Sequence, residues 1–194
     1  MNEKIQMTEL VCILDRSGSM YGKEADTIGS YNRMLSEQRQ IPGKAYITTA
    51  LFGDDCEMFC CHVPVRYARE LTEHEYFVKG NTALFDAVGE VFSLVDESLC
   101  DMNPMYEKKV VVFIITDGVE NASVRQSASM VRKLIGKKKE EGWKIVFFGT
   151  EPEALRQAQD AGILKKDTAM YRADGYGIRR SYERAGQIFT EIRR

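Results

Sequence analysis

Oxygen-bearing side chains recur at three separated points of this sequence, and together they have the chemistry of a hard metal-ion site. Asp15-Arg16-Ser17-Gly18-Ser19 offers a carboxylate and two hydroxyls at alternating positions, with Gly18 easing a tight turn. Thr82 stands ahead of an apolar helical pattern, and Asp117-Gly118 closes a long apolar run. Two carboxylates brought to one spot repel each other unless a cation lies between them. Carboxylate and hydroxyl oxygens with no Cys or His beside them suit Mg2+ or Mn2+ rather than Zn2+, and the charged oxygens are too few for a tight Ca2+ cage. Each piece has a plainer reading alone. Ser and Gly after a strand make turns, Thr82 could cap a helix, and Asp117-Gly118 could be a simple turn. Their joint occurrence, in order and at strand ends, favours the metal.

The elements needed to bring these residues together are legible as an alternation. Leu10–Leu14 is a short apolar run ending in Asp15, and Glu24–Gln40 carries Ile28, Tyr31 and Leu35 at helical spacing until Pro42-Gly43 stops it. Ala45–Phe52 and Glu57–Val63 flank the turn signal Gly53-Asp54-Asp55, which predicts a hairpin and an antiparallel edge strand. Val65–Val78 reads as irregular or weakly helical. From Thr82 onward Leu84, Val88, Val91, Val95 and Leu99 form one helical stripe, with Glu90, Glu97 and Asp101 away from it. Lys109–Thr116 is apolar through its centre, as a strand buried on both faces must be. Val124–Glu141 is expected to be helical, Lys144–Phe148 a strand, Glu153–Gln159 a helix and Thr168–Tyr171 a last strand. Tyr182, Ala185, Phe189 and Ile192 line a C-terminal helix. The fold class predicted is α/β, Rossmann-like: a mostly parallel sheet in the order 3-2-1-4-5-6, strand 3 antiparallel at the edge, with helices on both faces. In that order the ligand crevice lies between strands 1 and 4, where Asp15 and Asp117 end their strands.

The 194 residues are expected to form one domain, 44% hydrophobic and 29% charged. The net charge of −2, from 27 Lys and Arg against 29 Asp and Glu, gives no electrostatic reason to expect nucleic acid or an anionic membrane as partner. No stretch has the length of a membrane span or a secretory core, so the expected location is cytoplasmic. Five cysteines are an odd number for a disulfide framework. Cys56 and Cys60 on one strand would stand roughly 13 Å apart, too far to share an ion, and the thiols are read as reduced and partly buried. Neither His62 nor His74 lies in a catalytic motif. Arg132, Lys133, Lys137, Lys138 and Lys139 read as a solvated helix face, and Glu120 and Asn121 as a solvated loop, with a border of the ligand surface as the alternative. Asp86 is open between reaching the site and facing its own helix N-terminus.

Asp15-x-Ser17-x-Ser19 after a strand, a lone Thr82 before a helix and Thr116-Asp117-Gly118 ending a strand resemble the metal-ion-dependent adhesion site of von Willebrand factor type A domains. The resemblance runs in motif order over roughly Thr8 to Ile192. Through Phe77–Val88 and Thr116–Ser123 the chain is also similar to small stand-alone bacterial members. It implies that Ser17, Ser19 and Thr82 touch Mg2+ directly, that Asp15 and Asp117 act directly or through water, and that one position stays open for an Asp or Glu of a protein partner. The function so implied is a non-enzymatic binding module. A metal-dependent phosphoester hydrolase is the alternative, disfavoured because no nucleophile–base pair or Walker loop is present. An accessory subunit of a cytoplasmic ATPase complex rests on family analogy alone.

Overall fold

Among the described residues, six strands pair into one sheet in the order β3-β2-β1-β4-β5-β6. They are β1 (Ile5–Asp15), β2 (Lys44–Phe52), β3 (Cys56–Pro64), β4 (Tyr106–Thr116), β5 (Lys144–Gly149) and β6 (Thr168–Met170). The helices are α1 (Glu24–Arg39), α2 (Leu84–Cys100), α3 (Ala128–Glu140), α4 (Pro152–Asp160) and α5 (Gly175–Arg193). This computed structural model describes residues 5–100 and 102–194, so Asp101 lies outside the described residues. Every pairing is parallel except β2 with β3. The predicted strand order and the antiparallel edge strand are both found.

The parallel strands bury both faces, so each contributes to two apolar clusters by alternation. Leu10, Cys12, Leu14, Val111, Phe113 and Ile115 face α1 and α5, where Tyr31, Met34, Tyr182 and Phe189 meet them. Val11, Ile13, Val112 and Ile114 face the other way, onto Val88, Val91 and Val95 of α2 and Val131 and Ile135 of α3. With both faces covered, function is left to the ends of the strands.

Four expectations need correction. β1 begins at Ile5 rather than Leu10, because polar Thr8 and Glu9 interrupt the apolar run yet are buried in the strand. α3 begins at Ala128 rather than Val124. The backbone N–H groups of Val124, Arg125 and Gln126 donate instead to the Asp86 carboxylate, so Asp86 clamps the segment ahead of α3 rather than reaching the site or its own helix end. Finally, Lys138 is not solvated. The residue is 1% exposed, and its ammonium pairs with Asp96 and Glu141 at 2.5 and 2.7 Å and lies over the Trp143 ring.

All five cysteines are free, with Cys12 buried and Cys61 and Cys100 exposed. Burial pushes the Cys56 thiol up to about 12. No helix among the described residues is long and apolar enough to cross a membrane.

Buried Glu9 explains an irregularity at the sheet edge. Its carboxylate accepts from the Thr48 hydroxyl at 2.6 Å and meets His62 Nδ1 at 2.7 Å. His62 N donates to the same Thr48 hydroxyl, and the ring stacks on Tyr46 with centroids 4.0 Å apart. Reaching Glu9 puts His62 in the left-handed region (φ 51°), where β3 breaks register with β2. Replacing the ring by a methyl group strands one oxygen of a buried carboxylate. His62→Ala should therefore destabilise by roughly 1–3 kcal/mol, whereas Glu9→Gln with His62 intact should cost less; urea melts of the two variants measure the difference.

Candidate metal centre

Asp15 is the last residue of β1 and Thr116 the last of β4, and these strands run side by side with Leu14 opposite Ile115. The chain therefore delivers Asp15 and Asp117 to the same end of the sheet, between its two central strands. Asp15 is fully buried and Asp117 is 7% exposed. One Asp15 oxygen accepts from Ser17 N at 2.7 Å and the other from the Thr116 hydroxyl. This Asx-type turn throws the chain back over the strand end.

The turn carries Ser17 and Ser19 inward. Ser17 Oγ and Ser19 Oγ lie 3.0 Å apart, and Thr82 Oγ1 donates to Ser17 Oγ at 3.1 Å. Three hydroxyls from two distant segments are thus linked through Ser17, at the strand ends that carry the two carboxylates. The structure brings together all five residues selected from the sequence.

Thr82 reaches this point through a chain of backbone contacts. The turn Gly53-Asp54-Asp55 after β2 underlies the loop before α2: Ala83 N donates to Gly53 O, and Asn81 N donates to Asp54 Oδ1. Gly18 N donates to Gly80 O at 3.0 Å, tying that loop to the serine turn. A Cβ on Gly53 would lie 2.5 Å from Lys79 O, so the approach requires glycine. Thr82 does not cap α2 with its side chain, since its hydroxyl is engaged in the cluster. Glu120 and Ser123 take that place, accepting from the N–H groups of Phe85 and Asp86.

Glu120 and Asn121 are consequently not a free solvated loop, although Asn121 is exposed. Asn121 Oδ1 accepts from Thr82 N at 3.0 Å and Asn121 N donates to Thr82 O, clamping Thr82 to the Asp117 loop. Arg16 is the unspecified residue of the Asp15-x-Ser17 motif. It is fully buried, donating to Glu57 at 2.7 Å and to Glu75 O at 3.1 Å, with its guanidinium over Phe77. It fastens the serine turn to β3 and to the segment between β3 and α2. No sequence signal distinguishes such an arginine from an exposed one. Lys23 was also missed: its ammonium donates to Ser19 O at 2.6 Å and pairs with Asp117.

The cluster fits a divalent cation on its own chemistry. Burial, opposed by hydrogen bonds from Thr116 and Ser17 and assisted by the Asp117 charge, pushes Asp15 up to about 6. Asp117 Oδ1 is buried with no hydrogen-bond partner. Gly118 keeps the space open, because a Cβ there would lie 2.7 Å from Thr82 Oγ1 and 3.1 Å from Ser19 Oγ. The other oxygens are hydroxyls, and no sulfur or imidazole ligand is among them. A cleft of about 700 Å3 at the opposite end of the sheet, lined by Lys109, Lys144, Asp167 and Ile188 among others, shares no residue with this cluster.

No protein-family model and no curated protein sequence matches this chain. Solved structures do match it in shape. The proximal thread matrix protein 1 of the mussel byssus, in a structure described as having a zinc-occupied MIDAS motif, is 13% identical and superposes with a TM-score of 0.66 over 96% of this chain and 46% of that one. A von Willebrand factor type A protein of Catenulispora acidiphila is 17% identical, with a TM-score of 0.65 over 93% and 42% of the two chains. The fold is that of a von Willebrand factor type A domain. The corresponding domain of the type V pilus tip protein Mfa5 of Porphyromonas gingivalis, 9% identical, matches over 98% of this chain and 97% of that one with a TM-score of 0.68. The chain spans under half the length of the mussel and Catenulispora proteins. At these identities the likeness establishes the fold alone.

Two expectations follow from the geometry. Gly118→Ala should push the hydroxyls apart and abolish divalent-ion binding in calorimetry, at an overpacking cost of roughly 1–3 kcal/mol. The second concerns acid. Asp15 holds its proton to about 6 in the metal-free fold against 3.8 for an ordinary carboxyl group. The folded state therefore binds more protons across that window, and stability is lost as pH rises through it. In chelator, the wild type should lose on the order of 2–3 kcal/mol relative to Asp15→Asn between about pH 4 and pH 7. Parallel denaturation curves for the two proteins would show a flat difference if Asp15 is not so perturbed.

Proposed function

We propose that this protein is a metal-dependent protein-binding module that captures an Asp or Glu side chain of a partner protein. Ser17, Ser19 and Thr82 would hold Mg2+ (or Mn2+) directly, with Asp15 and Asp117 directly or through water. The observation that carries this reading is the meeting of three hydroxyls with two buried carboxylates, one of whose oxygens, Asp117 Oδ1, has no partner. When bound there, the cation supplies a positive centre with coordination positions left for a partner carboxylate.

The residues around the cluster suit a protein partner. Ser19 is exposed while Ser17 and Thr82 are buried, so the site has a dry floor and an open mouth. Tyr21, two residues beyond Ser19, is 81% exposed, and Phe77, over the Arg16 guanidinium, is 46% exposed. Aromatic side chains beside a charged anchor are the composition of a protein-binding surface. Neighbours of the same fold, the pilus tip protein and the zinc-occupied byssus protein, support the reading by analogy.

The hydrolase alternative finds no comparable support: the hydroxyls of Ser19 and Thr82 both contact that of Ser17, and no histidine is bonded to any of the three.

Thr82→Ala should separate binding from folding. Its hydroxyl makes one hydroxyl–hydroxyl contact, so the chelated variant should melt within about 1 kcal/mol of the wild type. Calorimetric binding of Mg2+ or Mn2+ should weaken at least tenfold, and capture of an Asp-bearing partner from the native host should be lost in the variant and in chelator. Equal metal binding by both proteins would remove the assignment. Steady Asp117-dependent cleavage of a phosphate ester would replace it with the enzyme.

A further inference from the structure

Within the site just assigned, one cation already belongs to the chain. Lys23 directly precedes α1, and its backbone is fixed: Lys23 N donates to Met20 O, and Lys23 O accepts from Thr27 N and the Thr27 hydroxyl. From that anchor the side chain folds back across the turn Gly18–Met20. Its ammonium donates to the carbonyl of Ser19 at 2.6 Å and pairs with the Asp117 carboxylate. The Lys23 side chain is only 16% exposed and that of Asp117 2%, so solvent screens the pair weakly. The ammonium contacts one of the five proposed ligand residues through its side chain and a second through its backbone.

We propose that Lys23 is a tethered counter-ion that neutralises Asp117 in the metal-free protein, competes with the divalent cation, and thereby sets the ion affinity of the site. The inference rests on the metal-binding reading above. Its physical basis is charge. Asp15 and Asp117 together offer two negative charges, and the lysine cancels one of them before any metal arrives. A divalent ion entering beside the bound ammonium meets a like charge in a poorly screened crevice. It must displace the ammonium or bind against its repulsion, and either weakens binding. Four methylenes allow the displaced head to swing out toward solvent without moving its anchored backbone. The metal-free state is correspondingly stabilised: without Lys23, two carboxylates would face each other with no cation between them.

The test is calorimetric titration of Mg2+ and of Mn2+ into wild type, Lys23→Met and Lys23→Arg, with thermal melts of each in chelator. Lys23→Met should bind either ion at least tenfold more tightly than wild type and melt lower in chelator. Lys23→Arg, which keeps the charge, should stay near wild type in both measurements. Measurable binding by Lys23→Met where wild type shows none would be the strongest supporting result. Equal or weaker binding by Lys23→Met overturns the counter-ion role while leaving the metal site standing. Absence of binding by all three proteins overturns the metal reading itself, and the counter-ion role with it.

Discussion

The structure is organised around one electrostatic constraint: two carboxylates end adjacent central strands of a parallel sheet, where they cannot avoid each other. Asp15 and Asp117 sit there because β1 and β4 pair directly and in register, and because both strands are buried on both faces. The burial that makes these strands the stable centre of the fold also denies water to the charges at their ends. Such a pair is tolerated only if something positive or strongly donating is supplied. The chain answers with hydrogen bonds from Thr116 and Ser17 to Asp15 and with the ammonium of Lys23 on Asp117.

Much of the surrounding architecture serves to hold neutral oxygens against those charges. Thr82 comes from the far side of the hairpin β2–β3, and its position depends on glycine at 53, where the backbone of Lys79 passes too close for a side chain. Asn121 clamps Thr82 from the opposite loop, Glu120 and Ser123 relieve Thr82 of capping α2, and Arg16 ties the serine turn to β3. These groups spend their hydrogen bonds on backbone and loops rather than on a ligand. Their consequence is preorganisation: contacts within the chain itself hold the hydroxyls close, so less ordering cost would fall on the proposed binding. Gly118 completes the arrangement by omission, since a methyl group there would fill the space the hydroxyls share.

The same tolerance for buried polar groups recurs away from the site, each time with at least one partner supplied by a different element. Glu9 in the middle of β1 is hydrogen-bonded by Thr48 of β2 and by His62 of the edge strand, and Lys138 in α3 is paired with Asp96 of α2 and with Glu141. In the first case the backbone of His62 is strained to make the contact. A sheet edge that breaks register to reach one carboxylate is a local compromise in favour of satisfying a buried ion.

The sequence by itself determined the sheet order, the antiparallel edge strand, and the meeting of Asp15, Ser17, Ser19, Thr82 and Asp117. Apolar runs and turn residues are local signals, and the connection rules of parallel sheets leave few ways to join them. The oxygen residues were legible because they fall at strand ends, where such sheets place their crevices. Only the tertiary structure decided which charged residues are buried. Periodicity records the average polarity of a face, and it cannot see a partner delivered from 39 to 53 positions away, as Thr48 and His62 are to Glu9 or Asp96 is to Lys138. For that reason β1 seemed to start at Leu10, Lys138 read as solvated, and Glu120 and Asn121 read as a free loop. Arg16 and Lys23 were overlooked for the same physical cause. A long cationic side chain has the same local signature whether it extends into water or folds back onto a carboxylate, and the choice is made by packing alone.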